Sequence, residues 1–139
     1  MLLLLLIKPV ATKTEIKEVQ KIIFDVPNLE GKNIDEIVSV LGIPVNSPES
    51  QKGQLSANGE WEKNFKKDGY ELLVTYNYGT KIVKDFFVTA NDEIYENRDK
   101  EKLLKITNTN ENDTNYVVSF VKSMRDTSRF TGILITPKN

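Results

Sequence analysis

"YELLVTYNYGTKIVKDFFVTA", residues 70–90, decides the fold of this 139-residue chain. Tyr70, Leu72, Val74, Tyr76 and Tyr78 fall on one side of an extended chain; Glu71, Leu73, Thr75 and Asn77 fall on the other. Asn77-Tyr78-Gly79-Thr80 supplies turn residues. Ile82, Phe86 and Val88 then alternate against Val83, Asp85, Phe87 and Thr89. Two period-two runs joined by a short turn make an antiparallel hairpin. Both of its faces are partly apolar. One face should therefore lie on helices, and the other is either partly covered or a binding surface.

Upstream, "VPNLEGKNIDEIVSVLGIPV", residues 26–45, reads as a turn followed by one short helix. Asn33 is an N-cap, with Glu36 placed to reach back to it, and Asp35 and Glu36 suit the positive end of the helix dipole. Ile34, Ile37, Val38 and Leu41 form one apolar stripe; Gly42 and Pro44 end the helix. A helix of about two turns does not stand alone, so it must pack on the sheet. Before it, Ile16, Val19 and Ile23 sketch a helical stripe over Thr14–Lys21, while "KIIFDV" reads equally well as a strand. Residues 46–60 carry Pro48, Gly53 and Gly59 and read as a long loop. Trp61 and Phe65 follow four apart, a spacing for a short helical turn or for an anchor at the loop's end.

Downstream, residues 91–115 are polar and rich in Asn, with a small apolar cluster of Leu103, Leu104 and Ile106. In "NDTNYVVSFVKSMRD", Val117, Phe120, Val121 and Met124 repeat the helical stripe and predict a second amphipathic helix. Ile133 to Thr136 reads as a closing strand, stopped by Pro137. The expectation is an α+β fold with helices packed on one face of an antiparallel β-sheet. Residues 1–13 form an apolar N-terminal segment and linker, and residues 14–139 a single domain.

The charge balance, 19 Lys+Arg against 20 Asp+Glu, argues against a nucleic-acid partner, which needs a basic excess. With no Cys and no His, a disulfide framework, a thiolate zinc site and a Ser-His-Asp triad are all excluded. Leu2 to Ile7 is too short to span a bilayer. It has the character of a secretory apolar core without the basic residues that precede one, and the absence of cysteine removes an acylated anchor. These features favour an extracytoplasmic setting, periplasmic or cell-surface, without excluding the cytoplasm.

Val26, Pro27, Asn28, Leu29 and Gly31, with Glu36 and Leu41-Gly42, resemble the start of a PASTA domain, a wall-binding module; the Gly- and Pro-rich second half is not matched. "GKNIDEIVSVLGIP", then Trp61, then the hairpin are similar to SmpA/OmlA-like outer-membrane lipoproteins and to β-lactamase-inhibitor-protein-like modules. That resemblance implies helices on an antiparallel sheet and a non-enzymatic role in scaffolding, assembly or protein binding.

Candidate binding residues are Trp61, Tyr70, Tyr76 and Tyr78, as an aromatic platform for a carbohydrate or peptide, and Asp85, a carboxylate interrupting an apolar strand. The bland alternatives are core aromatics and a solvent-facing acid. Asp25, Asp35, Glu36, Glu71, Asp85 and the Asp92-Glu93 pair are the only conventional acid/base groups, and a hydrolase would need two of them converging in a cleft. Asn108, Asn110, Asn112 and Asp113 echo alternating EF-hand ligands. Asp113 stands where that loop requires Gly, and Ser119 where it requires Glu, which favours a plain Asn-rich loop capping the next helix. No metal or cofactor is expected. The function expected is a non-catalytic extracytoplasmic binding or assembly module whose partner is another protein or a cell-envelope component. The alternatives are a carboxylate-based hydrolase and a peptidoglycan-binding PASTA-like module.

Overall fold

The computed structural model describes residues 21–45, 59–90, 100–124 and 129–138. Most of the stripe expected at Thr14–Lys21, nearly all of the 46–60 loop and the Asp92-Glu93 pair lie outside them. The described residues form an α+β fold with a five-stranded antiparallel sheet.

Residues 21–25 are irregular, and Ile23 and Phe24 are held by N–H bonds to the Ile106 carbonyl at 2.9 and 3.0 Å. Helix α1 (Val26–Leu29) is a single turn with Pro27 in its first turn, where a missing N–H costs nothing. Helix α2 (Ile34–Leu41) forms as its sequence predicts. Glu36 N–H donates to Asn33 Oδ1 and Asn33 N–H donates to Glu36 Oε1, both at 2.9 Å, closing a capping box. Gly42, at φ 93°, ends the helix in a conformation that a side chain disfavours, and its N–H reaches the Val38 carbonyl.

Strand β1 (Glu60–Lys67) corrects the reading of Trp61 and Phe65. They lie on one face of a strand, not a helical turn, because a spacing of four satisfies both periods. Between them Lys63 points inward and is 7% exposed; this charge hides the alternation from a hydropathy reading. Strands β2 (Tyr70–Asn77) and β3 (Val83–Ala90) are the expected hairpin. Tyr70, Leu72, Val74 and Tyr76 are buried, and the intervening residues are half-buried. A bulge opposite Thr75/Tyr76 sets Asp85 against Thr75 and Val83 against Tyr76, which leaves Lys84 as an extra residue. The bulge switches the parity expected for the return strand. Val83 packs on the core, and Ile82 is 60% exposed in the turn.

Helix α3 (Lys100–Thr107) places Leu103, Leu104, Ile106 and Thr107 inward. Strand β4 (Tyr116–Lys122) replaces the second amphipathic helix predicted there. Tyr116 is buried, and Val118 and Phe120 pack against the core; Val117 and Val121 are exposed and Met124 is 99% exposed. Phe120 fits both periods, and the β-branched and aromatic content of YVVSFV decides for the strand. The Asn-rich loop therefore leads into a strand rather than capping a helix. Strand β5 (Phe130–Pro137) includes the predicted 133–136 segment.

The order across the sheet is β1-β2-β3-β5-β4. β5 is antiparallel to both β3 and β4, so those two run parallel to each other. Parallel strands need a long crossover, and the segment carrying α3 provides it. The buried core joins Val26, Leu29, Ile34, Ile37, Leu103 and Ile106 of the helices to Leu72, Val74, Phe86, Val88, Ile133 and Ile135 of the sheet. Among the described residues, no helix is long and apolar enough to cross a membrane.

Candidate functional site

The strand register defines three rows on the sheet face that alternates with the buried one. The middle row runs Asn64, Leu73, Phe87, Leu134, Ser119 from β1 to β4. One flank holds Lys66, Glu71, Thr89, Gly132 and Val121. The other holds Glu62, Thr75 and Asp85 on β1 to β3, and Thr136 and Val117 on β5 and β4. Leu73, Phe87 and Leu134 are half-buried, and Ser119, Val117 and Val121 are exposed. The centre of this face is apolar, hydroxyls surround it, and most of its charge lies toward β1.

Gly132 shapes the middle of it. A Cβ built there would stand 2.8 Å from the Phe87 ring and 2.4 Å from the Val88 carbonyl. The phenyl ring thus occupies the space of the missing side chain, and the strands approach more closely than any other residue permits. Thr89 Oγ1 donates to the Thr131 carbonyl beside it. Asn64 Nδ2 donates to Glu71 Oε2 at 2.7 Å, tying β1 to β2 across the face.

Asp85 is half-buried on this face. Burial raises its pKa above the ordinary carboxylate value; a hydrogen bond from Thr75 and the Lys84 charge lower it, and the Glu60 charge raises it again. Lys84 is paired with Glu60 at 3.1 Å. A raised acid near a second carboxylate is one ingredient of hydrolytic chemistry. Here the two carboxylates lie on the open surface of a sheet, with a lysine bridged to one of them.

The other predicted site residues lie elsewhere. Trp61, Tyr70 and Tyr76 are 7%, 4% and 2% exposed and belong to the core on the opposite face from Asp85. Tyr78, in the turn, is 50% exposed and stacks obliquely on Trp61, with ring centroids 4.1 Å apart. Trp61 and Tyr78 thus meet, Tyr70 and Tyr76 line the same buried strand face, and Asp85 joins none of them. Trp61 Nε1 is buried without a hydrogen-bond partner among the described residues. The other described carboxylates singled out from the sequence hold the fold. Asp25 accepts from Asn108 Nδ2 at 3.0 Å, Asp35 pairs with Lys81 at 2.7 Å, Glu36 closes the capping box and Glu71 holds Asn64.

In the Asn-rich loop the side chains serve the turns. Asn110 Oδ1 accepts from Asn112 N–H at 2.9 Å and Asp113 Oδ1 from Asn115 N–H at 2.7 Å, while the Asn110 N–H donates to the Tyr116 hydroxyl at 3.0 Å. No group of acidic residues suited to a metal ion occurs among the described residues.

Sequence reasoning missed two concavities. A cleft of about 300 Å³ opens where the α1–α2 turn, the hairpin turn and the end of β5 meet, floored by Val83, Phe86 and Pro137 and rimmed by Asn33 and Glu36. A shallow depression of about 600 Å³ lies between Ile22, Leu104 and the Asn108–Asn112 loop. The bulge that turns Val83 inward helps form the first, and a hydropathy pattern carries no signal for it.

Comparison with protein-family models, with characterised proteins and with solved structures returns no match for this chain.

Proposed function

We propose that this chain is a non-catalytic binding or assembly module that acts outside the cytoplasm and meets another protein on the open face of its sheet. The observation that carries the reading is the Leu73–Phe87–Leu134 row, half-buried and bordered by Thr75, Thr89, Thr136 and Ser119. A flat, apolar centre with a hydroxyl and charged border has the make-up of a protein-recognition patch rather than of a small-molecule pocket. The finer architecture goes with it: α1, α2 and α3 together cover the other face. The shared core of Val26, Leu29, Ile34, Ile37, Leu103 and Ile106 with Leu72, Val74, Phe86 and Ile133 supports that arrangement. The likeness of the α2 entry and the hairpin to SmpA/OmlA-like and β-lactamase-inhibitor-protein-like modules points the same way, and the apolar Leu2–Ile7 run supports the compartment.

The test is a photo-crosslinking amino acid placed at Glu62, on the open face, and at Val40, exposed on α2. Adducts to one other polypeptide from position 62 and none from position 40, in an extracytoplasmic fraction, are expected. A cytoplasmic location, or adducts from position 40 alone, would overturn the reading. So would turnover of a glycoside or ester that Asp85→Asn abolishes.

A further inference from the structure

The two edges of the sheet are built differently. β1 is guarded in three ways. Glu60, Glu62, Lys66 and Lys67 put charge along it, Lys63 turns inward, and Val45 donates its N–H to the Asn64 carbonyl at 2.7 Å. Charges, inward-facing lysines and covering chain are the devices that keep an edge from pairing with another chain. Among the described residues, nothing comparable guards β4. Its seven residues, YVVSFVK, carry one charge, at the last position, and among the described residues no strand pairs with its outer side.

The ladder to β5 sets which backbone groups face outward. Lys138 N–H donates to the Asn115 carbonyl at 2.9 Å, opposite Pro137, which has no N–H, and Tyr116. Hydrogen-bonded and non-bonded pairs alternate from there. Val117, Ser119 and Val121 therefore turn their N–H and C=O groups to β5. Tyr116, Val118 and Phe120 turn theirs to the open edge.

We propose that β4 pairs antiparallel with β4 of a second copy of this chain, about a two-fold axis at Ser119. The outward groups permit this register, in which Val118 bonds Phe120 of the second copy and Tyr116 lies against Lys122. On the open face this sets Val117 against Val121 and Ser119 against its own counterpart. The strand is self-complementary in this register. Its only charge meets a tyrosine, so no like charges face each other, and each exposed valine gains a cross-strand valine. Both β4 edges are consumed and only the guarded β1 edges remain outside, so assembly stops at two. The inference concerns the sheet edge and stands apart from face docking, which the Glu62 crosslink tests near the opposite edge, on β1.

Because the chain contains no cysteine, single cysteines report the pairing cleanly. Under mild oxidation, Ser119→Cys is expected to form a disulfide-linked dimer quickly. Val117→Cys alone should link slowly, and an equimolar mixture of Val117→Cys and Val121→Cys should link quickly. Sedimentation equilibrium of the unaltered chain at high micromolar concentration is expected to read twice the monomer mass. Val117 and Val121 are both exposed, so charges there leave the monomer folded. The variants Val117→Lys/Val121→Lys and Val117→Glu/Val121→Glu should each sediment as monomers, and their mixture as a dimer. A monomeric unaltered chain would overturn the proposal. So would Val117→Cys linking as fast as Ser119→Cys, or a mixture of the charged variants that stays monomeric.

Discussion

Gly132 and Asp85 face the same side of the sheet and constrain it in opposite senses. At Gly132 the limit is steric. A methyl group would meet the Val88 carbonyl, which is backbone and cannot swing aside, so Gly132→Ala must push β5 from β3 and disturb the Phe87 ring as well. Overpacking of this kind costs about 1–3 kcal/mol, read as a lower urea midpoint at unchanged slope. At Asp85 the limit is electrostatic. Its raised pKa means that the folded chain holds the proton more tightly than the unfolded chain does, so folding penalises the charged form. Stability is therefore full below the ordinary aspartate pKa and falls as pH rises through the raised value. Asp85→Asn keeps an acceptor for Thr75 and removes that loss. The variant is expected to unfold at higher urea than the parent at neutral pH, with the difference closing as pH is lowered toward the ordinary carboxylate range. Neither property was legible in the residues alone. A glycine in a strand says that something comes close without saying what, and the burial of Asp85 depends on neighbours from other strands.

Among the elements, α2 and the hairpin could be read from sequence and β1, β4 and α3 could not. In α2 every local signal agrees: cap, charge, stripe and stop. Asn33→Ala removes the side-chain acceptor of the Glu36 N–H and leaves only the backbone half of the capping box; it is expected to cost about 0.5–2 kcal/mol, measured by thermal or urea unfolding, with Asn33→Asp retaining most of the stability. The hairpin was legible because two period-two runs flank the turn residues Asn77–Thr80. The bulge was not, since the extra residue, Lys84, belongs to the pairing of two strands rather than to either. In β4, Phe120 satisfies a helical stripe with Val117 and Val121 and a strand alternation with Tyr116 and Val118. Strand-favouring composition outweighs helical periodicity there. In β1 a buried lysine masked the alternation, and in α3 five charged or polar residues of the eight diluted the stripe. The candidate aromatic residues divide between core and surface for a related reason. Tyrosine and tryptophan suit a core wall as well as a wet surface, and only assembly puts Trp61, Tyr70 and Tyr76 inside.

At the scale of the molecule, the class of fold followed from the alternation of elements, but the strand order did not. A meander was the simplest continuation of the hairpin, yet β5 sits between β3 and β4. It carries Ile133 and Ile135 into the core and bonds to both neighbours. A chain ending before Phe130 is expected to lose cooperative urea unfolding altogether, because β4 then has no described strand to join. Near-UV circular dichroism of such a truncation should show no fixed tertiary signal. During synthesis the same layout sets a schedule. The β1–β2–β3 meander can pair as it leaves the ribosome, but the slot beside β3 stays open until the residues of β5 emerge, after all four other strands. Over that interval the nascent polypeptide exposes two adhesive flanks at once, so closure of the sheet is the last step of its biogenesis, and the wait for it is when a chaperone has most to guard.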